Sequence, residues 1–282
     1  MCAFERSEKG MNFFMENKLY VLGTGNAMVT KCYNTCFTIF DGKEHFLVDT
    51  GGGNGILSVF EKLKIEFNQI HNIFISHKHT DHLFGLFWVI RKIGALLENG
   101  KYEGNLNIYC HEELGKTIQI ISDLTIVKKF LKYFGNRINI ILIKDRQKEN
   151  INNHEIEFVD ILSTKDLQYG FIAKLSNGKK LSFLGDEPYK NNFDNLIKNT
   201  DWLLSEAFCL YEEREIYKPY EKHHNTVKDS CKIAEKLNAK NLILWHTEDK
   251  NIKNRKELYV EEAKKYFNGN VFVPNDLEII NL

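Results

Sequence analysis

The sequence lacks the features that mark membrane proteins, disulfide-rich secreted proteins and proteins that bind long polyanions. Lys+Arg and Asp+Glu both number 38, so the formal net charge is zero and no global positive field would capture a long nucleic acid. No apolar run reaches the ~18 residues that a membrane-spanning helix needs. The six cysteines include no Cys-x-x-Cys pair, which argues against a zinc ribbon or a disulfide framework. We therefore expect a cytoplasmic protein with no membrane segment and no long nucleic acid partner.

Domain boundaries are equally hard to find. The 282 residues contain three prolines, no low-complexity tract and no repeat of fixed period. Hydrophobic residues make up 43% of the chain, which is enough for a large globular core. We predict a single domain over residues 18–282. Residues 1–17 precede the first convincing strand, include Met11 and Met15 as alternative starts, and are expected to form a flexible leader.

Short apolar runs alternate with longer helical patterns along the chain. Helices are predicted at residues 83–97, 227–237 and 257–267, where apolar residues recur at helical spacing. Phe87 and Trp88 fall in the first of these helices and are expected in the core. Strands are predicted at residues 19–22, 36–40, 46–48, 73–75, 106–109, 138–143, 156–161, 171–175, 181–184, 202–204, 242–245, 271–273 and 277–280. This mixture predicts an α/β protein with many strands.

The most informative stretch is the sequence HKHTDH at residues 77–82, which directly follows an apolar run at residues 73–75. It places His77, His79, Asp81 and His82 within six positions. Imidazole nitrogens and carboxylate oxygens suit Zn²⁺, Mn²⁺ or Fe²⁺, and alternate residues of a loop can converge on two neighbouring ions. The stretch therefore predicts a metal site.

Polar residues also follow several predicted strands. Asp49 follows residues 46–48, Asp186 follows residues 181–184 and a glycine, and His246 follows residues 242–245. An acidic residue at one strand end and a histidine at another would complete a two-ion shell that begins with Asp81 and His82. Asp49 is expected to be structural or to orient a ligand histidine.

These motifs together resemble the metallo-β-lactamase superfamily and, within it, the ribonuclease Z-like branch of metal-dependent phosphodiesterases. The resemblance runs nearly end to end and rests on the sequences LGTG at 22–25, NTC at 34–36, VDTGGG at 48–53, HKHTDHLFG at 77–85, GD at 185–186, SEA at 205–207, HHNT at 223–226 and LWHT at 244–247. It implies a four-layer αββα sandwich, with the metals at one edge where loops from both sheets meet.

The resemblance also implies roles for individual residues. His77 and His79 would hold a first metal, Asp81 and His82 a second, Asp186 would bridge them, and His246 would complete the second site. A metal-bound hydroxide, oriented by Asp81, would be the nucleophile. Glu206 and His224 would together protonate the leaving oxygen, with the neighbouring His223 as the alternative acid. A carboxylate beside an imidazole favours the charged imidazole, which suits a general acid near pH 7.

One residue departs from the pattern. The family has a histidine six residues before the Gly of an aromatic-Gly-aromatic triplet, and here that position is Thr164. A threonine hydroxyl is a poor ligand for Zn²⁺ compared with imidazole. Asp166 or His154 could substitute if the loop bends suitably. The cofactor is accordingly expected to be one or two divalent ions per chain, with Zn²⁺ preferred over Mn²⁺ or Fe²⁺.

The second departure is length. Ribonuclease Z carries a long arm for transfer RNA between its middle histidine and the Gly-Asp motif, whereas only the 21 residues 165–185 lie between Thr164 and Asp186. We therefore predict a hydrolase of a small or cyclic phosphodiester. A hydrolase of another ester, a lactone, a thioester or a β-lactam on the same scaffold would also fit the motifs, as would a catalytically degenerate protein that binds a metal or ligand. A homodimer is a further expectation, because family members often form one.

Overall fold

The computed structural model describes residues 16–282. Most of the expected leader, residues 1–17, lies outside this range. Asn17, at its last position, is buried, and its carbonyl oxygen accepts a hydrogen bond of 2.8 Å from the backbone N–H of Leu282.

The described chain forms fourteen strands and nine α-helices. The strands are β1 (Lys18–Gly23), β2 (Cys36–Phe40), β3 (His45–Val48), β4 (Asn72–Phe74), β5 (Leu106–Cys110), β6 (Ile138–Leu142), β7 (Lys148–Ile151), β8 (His154–Asp160), β9 (Tyr169–Lys174), β10 (Lys180–Phe183), β11 (Trp202–Glu206), β12 (Asn241–Trp245), β13 (Asn270–Phe272) and β14 (Ile279–Asn281). The helices are α1 (Gly55–Leu63), α2 (Thr80–Leu83), α3 (Gly85–Glu98), α4 (Glu112–Thr125), α5 (Lys128–Leu131), α6 (Asp194–Ile197), α7 (Arg214–Tyr217), α8 (Val227–Lys236) and α9 (Arg255–Ala263).

The strands pair into two seven-stranded mixed sheets. The first has the order β14-β1-β2-β3-β4-β5-β6, and the second has the order β13-β12-β11-β10-β9-β8-β7. In the first sheet, β3 to β6 run parallel and the remaining pairs are antiparallel. In the second sheet, β10 to β13 run parallel and β7 to β10 are antiparallel.

Three apolar clusters separate four layers. Between the sheets lies an aromatic-rich cluster that includes Phe37, Phe171 and Trp245. A second cluster packs α1, α3 and α4 on the outer face of the first sheet, and a third packs α8 and α9 on the outer face of the second. The two inner faces and the two outer faces are thus all covered by apolar side chains, which is how a sheet pair with parallel strands is stabilised. The expected αββα sandwich is confirmed.

The carboxyl ends of the parallel strands gather at one edge, where ligands bind in open α/β sheets. Asp49 follows β3, and the backbone there is left-handed, with φ of 54°. His246 follows β12 with φ of 56°. Such conformations cost about 1–3 kcal/mol in residues other than glycine and concentrate at functional sites. Gly185 turns the chain after β10 with φ of 78°, and a Cβ there would lie 2.6 Å from the Gln168 side chain.

The expectation that Trp88 belongs to the core is wrong. Trp88 is 41% exposed on α3, whereas Val89 and Ile90 on the same helix are fully buried. Phe84, just before α3, is exposed to the same extent, and Phe87 is half-buried. The apolar stripe of α3 is therefore wider than the face that packs on the sheet, and the apolar residues outside that face lie on the surface.

His45 and His154 are two of the buried histidines that lie outside the metal motif. His45 on β3 shares a hydrogen bond of 2.7 Å with the Thr38 hydroxyl, and His154 on β8 accepts a hydrogen bond of 3.2 Å from the backbone N–H of Ser176. Burial lowers the pKa of each ring to about 4, and Asp41 only partly opposes this effect. Both rings are therefore neutral in the folded protein at neutral pH.

These two rings should make the fold acid-sensitive. Their folded pKa lies below the unfolded value of 6.5, so the unfolded chain binds more protons between pH 4 and 6.5. The contribution of these rings to the free energy of unfolding should be constant above pH 6.5. It should fall as the pH is lowered to 4, by at most about 3 kcal/mol for each ring. Urea unfolding from pH 8 to 4 in a chelator measures this loss.

The double variant with His45→Gln and His154→Gln should show a shallower loss than the wild type over the same range. Measurements at pH 7 and 8 serve as the internal control, because both rings are neutral there in both states. An unchanged slope in the double variant would contradict the assignment.

Candidate metal centre and active site

The motif at residues 77–82 folds as a short loop after β4 that runs into α2. Ser76 is held first: its backbone N–H and its hydroxyl each donate to Asp49, both at 2.8 Å. This pair fixes where the loop leaves the sheet. Asp81, His82 and Leu83 are buried in α2, which begins after His79.

Asp186 is the point where the metal motif meets the second sheet. Its Oδ2 atom lies 3.7 Å from His77 Nε2 and 3.6 Å from the Nε2 atoms of both His82 and His246. Its other oxygen accepts a hydrogen bond of 2.7 Å from Gln168 Nε2. The carboxylate is thereby fixed in orientation with one oxygen facing three imidazoles.

We call His77, His79 and Asp186 the first half-site. His77 Nε2 and His79 Nδ1 lie 2.8 Å apart and face the same point. The remaining nitrogen of each ring has an outer partner, which is the Ser76 hydroxyl at 2.9 Å for His77 and Asp166 Oδ2 at 3.1 Å for His79.

The second half-site consists of Asp81, His82, His246 and Asp186. Asp81 Oδ2 lies 3.3 Å from His82 Nε2 and 3.5 Å from His246 Nε2. Asp49 Oδ2 lies 2.8 Å from His82 Nδ1, so Asp49 orients this ring in addition to holding Ser76. Such outer carboxylates fix which ring nitrogen faces a metal.

His246 is held in position by hydrogen bonds of Thr247, the residue that follows it. The Thr247 backbone N–H donates to Thr24 O at 3.1 Å, and its carbonyl accepts from Asn26. The guanidinium of Arg255, which is fully buried, donates to the Thr247 hydroxyl at 2.7 Å. The end of β12 is thus tied to the end of β1.

The carboxylates of the cluster are held ionised by the imidazoles around them. Burial acts to raise the pKa of Asp186, but His77, His82 and His246 outweigh it and hold the pKa well below its usual range. The pKa of Asp81 is also lowered, because His82 and His246 outweigh the effect of burial. Burial lowers the pKa of His77 well below its ordinary value.

A divalent cation fits this donor set. Nε2 of His82 and Nε2 of His246 are buried and make no hydrogen bond among the described residues. Unpaired buried nitrogens are costly unless something binds them. Imidazole and carboxylate donors converge within 4.8 Å in the group His77, His79 and Asp186 and in the group Asp81, His82 and His246, and such donors match first-row divalent ions.

Glu206 and His224 lie beside the second half-site and form a pair. His224 Nδ1 is 3.0 Å from both Glu206 Oε2 and the backbone oxygen of Asp186. Because that carbonyl can only accept, we assign the ring proton to Nδ1. The backbone N–H of Asn225 donates to the other oxygen of Glu206 at 2.6 Å, and the Phe208 ring stacks on His224 with centroids 5.0 Å apart.

The protonation of this pair differs from the expectation. Burial lowers the pKa of His224 to about 4 and raises that of Glu206 well above its usual value. Desolvation therefore outweighs the attraction between the carboxylate and a charged ring, and both groups favour their neutral forms. A nearby anionic ligand would oppose this effect at His224.

Thr164 and the residues expected to replace it do not join the cluster. The Thr164 hydroxyl lies 2.8 Å from Nδ1 of His223, which is exposed. Asp166 contacts the outer nitrogen of His79 and not the inner one. His154 contacts Ser176 and is not among the described residues that cluster with the metal motif. His224, and not His223, therefore faces the site.

A cavity of about 900 Å³ opens over the site, which suits a small-molecule ligand. Asp81, Asp186, His224 and His246 contribute to its floor. Its wall is largely apolar, from Met28, Phe84, Ile121, Phe208 and Tyr217, and is interrupted by the cations Lys78, Lys165, Lys222 and Lys250.

Sequence reasoning missed the supports Ser76 and Gln168 and the cation Lys165. Lys165 is half-buried and close enough to act electrostatically on both Glu206 and His224. Nothing local distinguishes these three residues from ordinary loop residues, apart from the position of Gln168 directly before the Tyr-Gly-Phe triplet.

Comparison with known proteins supports the family resemblance that the sequence motifs indicate. A family model described as Anti-Pycsar protein Apyc1 matches residues 17–266. A ribonuclease Z of Thermococcus sibiricus is 24% identical over 305 aligned residues, which cover 93% of this chain and 95% of the relative.

Two solved structures share the fold. The metallo-β-lactamase fold protein YhfI of Bacillus subtilis superposes with a TM-score of 0.76 at 20% identity, covering 94% of this chain and 99% of that one. The short form of human tRNase Z superposes with a TM-score of 0.70 at 20% identity, covering 94% and 98%. The expected resemblance to the ribonuclease Z-like branch and the expected fold are confirmed.

Proposed function

The chain belongs to the Anti-Pycsar protein Apyc1 family, and from this premise we propose that it is a metal-dependent phosphodiesterase that hydrolyses a small or cyclic phosphodiester. The enzyme class agrees with the ribonuclease Z relatives, which span most of this chain. The roles of individual residues and the size of the substrate are the proposed part.

One observation carries the proposal. A carboxylate oxygen of Asp186 lies within 3.7 Å of three imidazole nitrogens, and the Glu206–His224 pair lies on the same side of the cavity. The first feature supports binding of divalent ions, and the second supports delivery of a proton to a leaving group. Hydrolysis of a phosphodiester needs both.

The site residues have separable tasks in this proposal. Divalent ions, when bound by the two half-sites, supply Lewis-acid stabilisation of a phosphoryl oxygen and make water a better nucleophile. Asp81 lines the cavity floor, so its carboxylate can accept a hydrogen bond from water there and orient it. Lys165 lines the same cavity and adds positive charge that attracts a phosphate.

His224 is the proposed general acid. Its Nδ1 proton is held by Glu206 and by the Asp186 carbonyl, which leaves Nε2 for the substrate. A bound phosphodiester anion favours the protonated ring, and Nε2 can then release its proton to the leaving oxygen. Phe208 covers one face of the ring and limits access of water.

The substrate is proposed to be small because the chain between Thr164 and Asp186 has no room for an arm. Within residues 165–185, β9, β10 and the tight turn that joins them take up residues 169–183. The cavity is also bounded by a largely apolar wall whose four lysines are accompanied by the acidic residues Glu248 and Asp249.

This part of the proposal is in partial conflict with the relatives, since their name, ribonuclease Z, denotes an enzyme that acts on RNA. Hydrolysis of another ester, a lactone, a thioester or a β-lactam on this scaffold is not favoured, and neither is ligand binding without turnover. Neither of these functions would use the Glu206–His224 pair.

The identity of the metal ion is a further proposal. We propose Zn²⁺ as the usual ion, ahead of Mn²⁺ or Fe²⁺, because His77, His79, His82 and His246 supply imidazoles to the half-sites and only Asp81 and Asp186 supply carboxylates.

We also propose a cytoplasmic location, since the cysteines of the described chain carry free thiols, as is usual in a reducing compartment. No helix in residues 16–282 is long and apolar enough to cross a membrane.

Hydrolysis of bis(p-nitrophenyl) phosphate tests the proposed function. The purified wild type should contain divalent metal by elemental mass spectrometry and should hydrolyse the diester, and a chelator should abolish turnover. Asp81→Ala should lower kcat/KM about 100-fold or more, because metal ions contribute several kcal/mol to the transition state. Lys264→Ala, a change at an exposed position outside the cavity, is the matched control. No turnover by the metal-loaded wild type on any phosphodiester would refute the proposal.

The role of His224 predicts a dependence on the leaving group. A general acid contributes about 10²–10⁴-fold when the leaving group is a poor one and little when it is a good one. His224→Ala should therefore lose far more activity on an alkyl phosphodiester than on bis(p-nitrophenyl) phosphate. Equal losses on both substrates would show that His224 acts only in binding, and His223→Ala should show no such split.

We further propose that the chain forms a homodimer through the exposed apolar face of α3 and α4. Trp88 on α3 and Ile120 and Leu124 on α4 are 41%, 59% and 80% exposed, and exposed apolar patches often mark a protein–protein interface. Phe84 and Ile121 line both this face and the cavity, so a second copy would lie beside the site. The zero net charge means that two copies do not repel each other strongly.

Sedimentation equilibrium tests the dimer. The wild type should have twice the mass of one chain, and the double variant Trp88→Glu and Leu124→Glu should have the mass of one, because the added charges would have to be buried in the interface. Ile216→Glu, at a position that is 69% exposed elsewhere, should remain dimeric. A monomeric wild type would rule the proposal out.

A further inference from the structure

The two half-sites differ in the number of protein ligands that they offer. The second half-site has four, which are Asp81, His82, His246 and the shared Asp186. The first has three, His77, His79 and Asp186, and no further His, Cys, Asp or Glu of residues 16–282 places an atom in that cluster. A firmly held zinc ion usually has four protein ligands, whereas a catalytic ion has three and an open position.

Thr164 cannot become the fourth ligand without a movement of its loop. Its hydroxyl is engaged by His223 at 2.8 Å. Its backbone N–H donates to Glu187 Oε2 at 3.1 Å, and the preceding Ser163 hydroxyl donates to the other oxygen of Glu187 at 2.6 Å. Glu187 is buried and directly follows Asp186, so the loop is fastened to the same segment that supplies the shared carboxylate.

Asp166 does not fill the position either. Its Oδ2 atom lies 3.1 Å from His79 Nε2, which is the nitrogen on the side of the ring away from His77. Its Oδ1 atom is paired with Lys78 Nζ at 2.5 Å. Asp166 is therefore the outer partner that orients His79, the same task that Asp49 performs for His82.

We propose, resting on the proposed function, that the second half-site holds a resident ion and the first holds an exchangeable ion whose coordination is completed by an oxygen of the bound phosphodiester. Substrate and the exchangeable ion then bind cooperatively, since each supplies a ligand or a charge that the other needs. The availability of free divalent ion would set the fraction of active enzyme.

Calorimetric titration of the chelator-treated wild type with Zn²⁺ tests this directly and needs no turnover. We expect two steps of one equivalent each, with the second about 100-fold weaker than the first, because one ligand is missing and the loss of even an outer partner of a ligand costs about 10–100-fold in affinity. Dimethyl phosphate, a small diester, should tighten the weaker step and leave the stronger one unchanged. Two steps of equal affinity, or no effect of the diester, would overturn the inference.

Variants assign each step to its half-site. His79→Ala should remove the weaker step and keep the stronger one, and loss of the stronger step in this variant would overturn the assignment. Thr164→His should narrow the gap between the steps, since it supplies the imidazole that the ribonuclease Z-like pattern has at this position. Thr164→Val, which breaks the contact with His223 and adds no ligand, is the matched control and should leave both steps unchanged.

The inference about the half-sites and the proposed function can fail separately. Hydrolysis of bis(p-nitrophenyl) phosphate by the zinc-saturated protein together with two equal steps would overturn only the unequal half-sites. Two unequal steps without hydrolysis of any phosphodiester would overturn only the proposed function.

Discussion

Oδ2 of Asp186 lies close to imidazoles from both sheets, with His77 and His82 following β4 of the first sheet and His246, far along the sequence, following β12 of the second. A buried carboxylate without partners would cost several kcal/mol, and here the three rings offset that cost. The His77 and His82 rings have centroids 4.3 Å apart and the His82 and His246 rings 5.4 Å, so the three would repel one another if they were charged together, and the carboxylate opposes that repulsion. The shared carboxylate therefore connects the edge of the first sheet to the edge of the second, which makes the site part of the contact between the sheets.

The supports around this contact are rigid, and the surfaces around the cavity are not. Asp49 and Gln168 are buried and hold the ligands from behind by hydrogen bonds of 2.7–2.8 Å. Met28, in contrast, is 87% exposed on the cavity rim, and Lys222 and Lys250 are exposed as well. Long flexible side chains adapt to a ligand at little cost, whereas metal ligands must be fixed. The division places chemistry on strand ends and recognition on loops.

Much of this arrangement could be predicted from local sequence. The strand that precedes HKHTDH is short and apolar, so its position and the direction of the motif follow from pattern alone. What the pattern could not supply is contact between distant segments. Trp88 continues an apolar stripe and gives no sign that its side of the helix is uncovered. Thr164 and Asp166 are close to Gln168 in sequence, yet one contacts His223, the other contacts His79, and only Gln168 reaches the shared carboxylate. The polar strand β7 was not predicted, because its sequence, KENI, contains a single apolar residue and so shows no apolar face.

The two sheets repeat one order of strands. In the first, the antiparallel β1, β2 and β3 are followed by the parallel β4, β5 and β6; in the second, β8, β9 and β10 are followed by β11, β12 and β13. Asp49 and Asp186 stand at matching positions after β3 and β10, and His111 and His246 at matching positions after β5 and β12. Corresponding ends of the two sheets therefore carry different tasks: Asp186 and His246 face the metal site, whereas Asp49 braces a ligand and His111 caps α4.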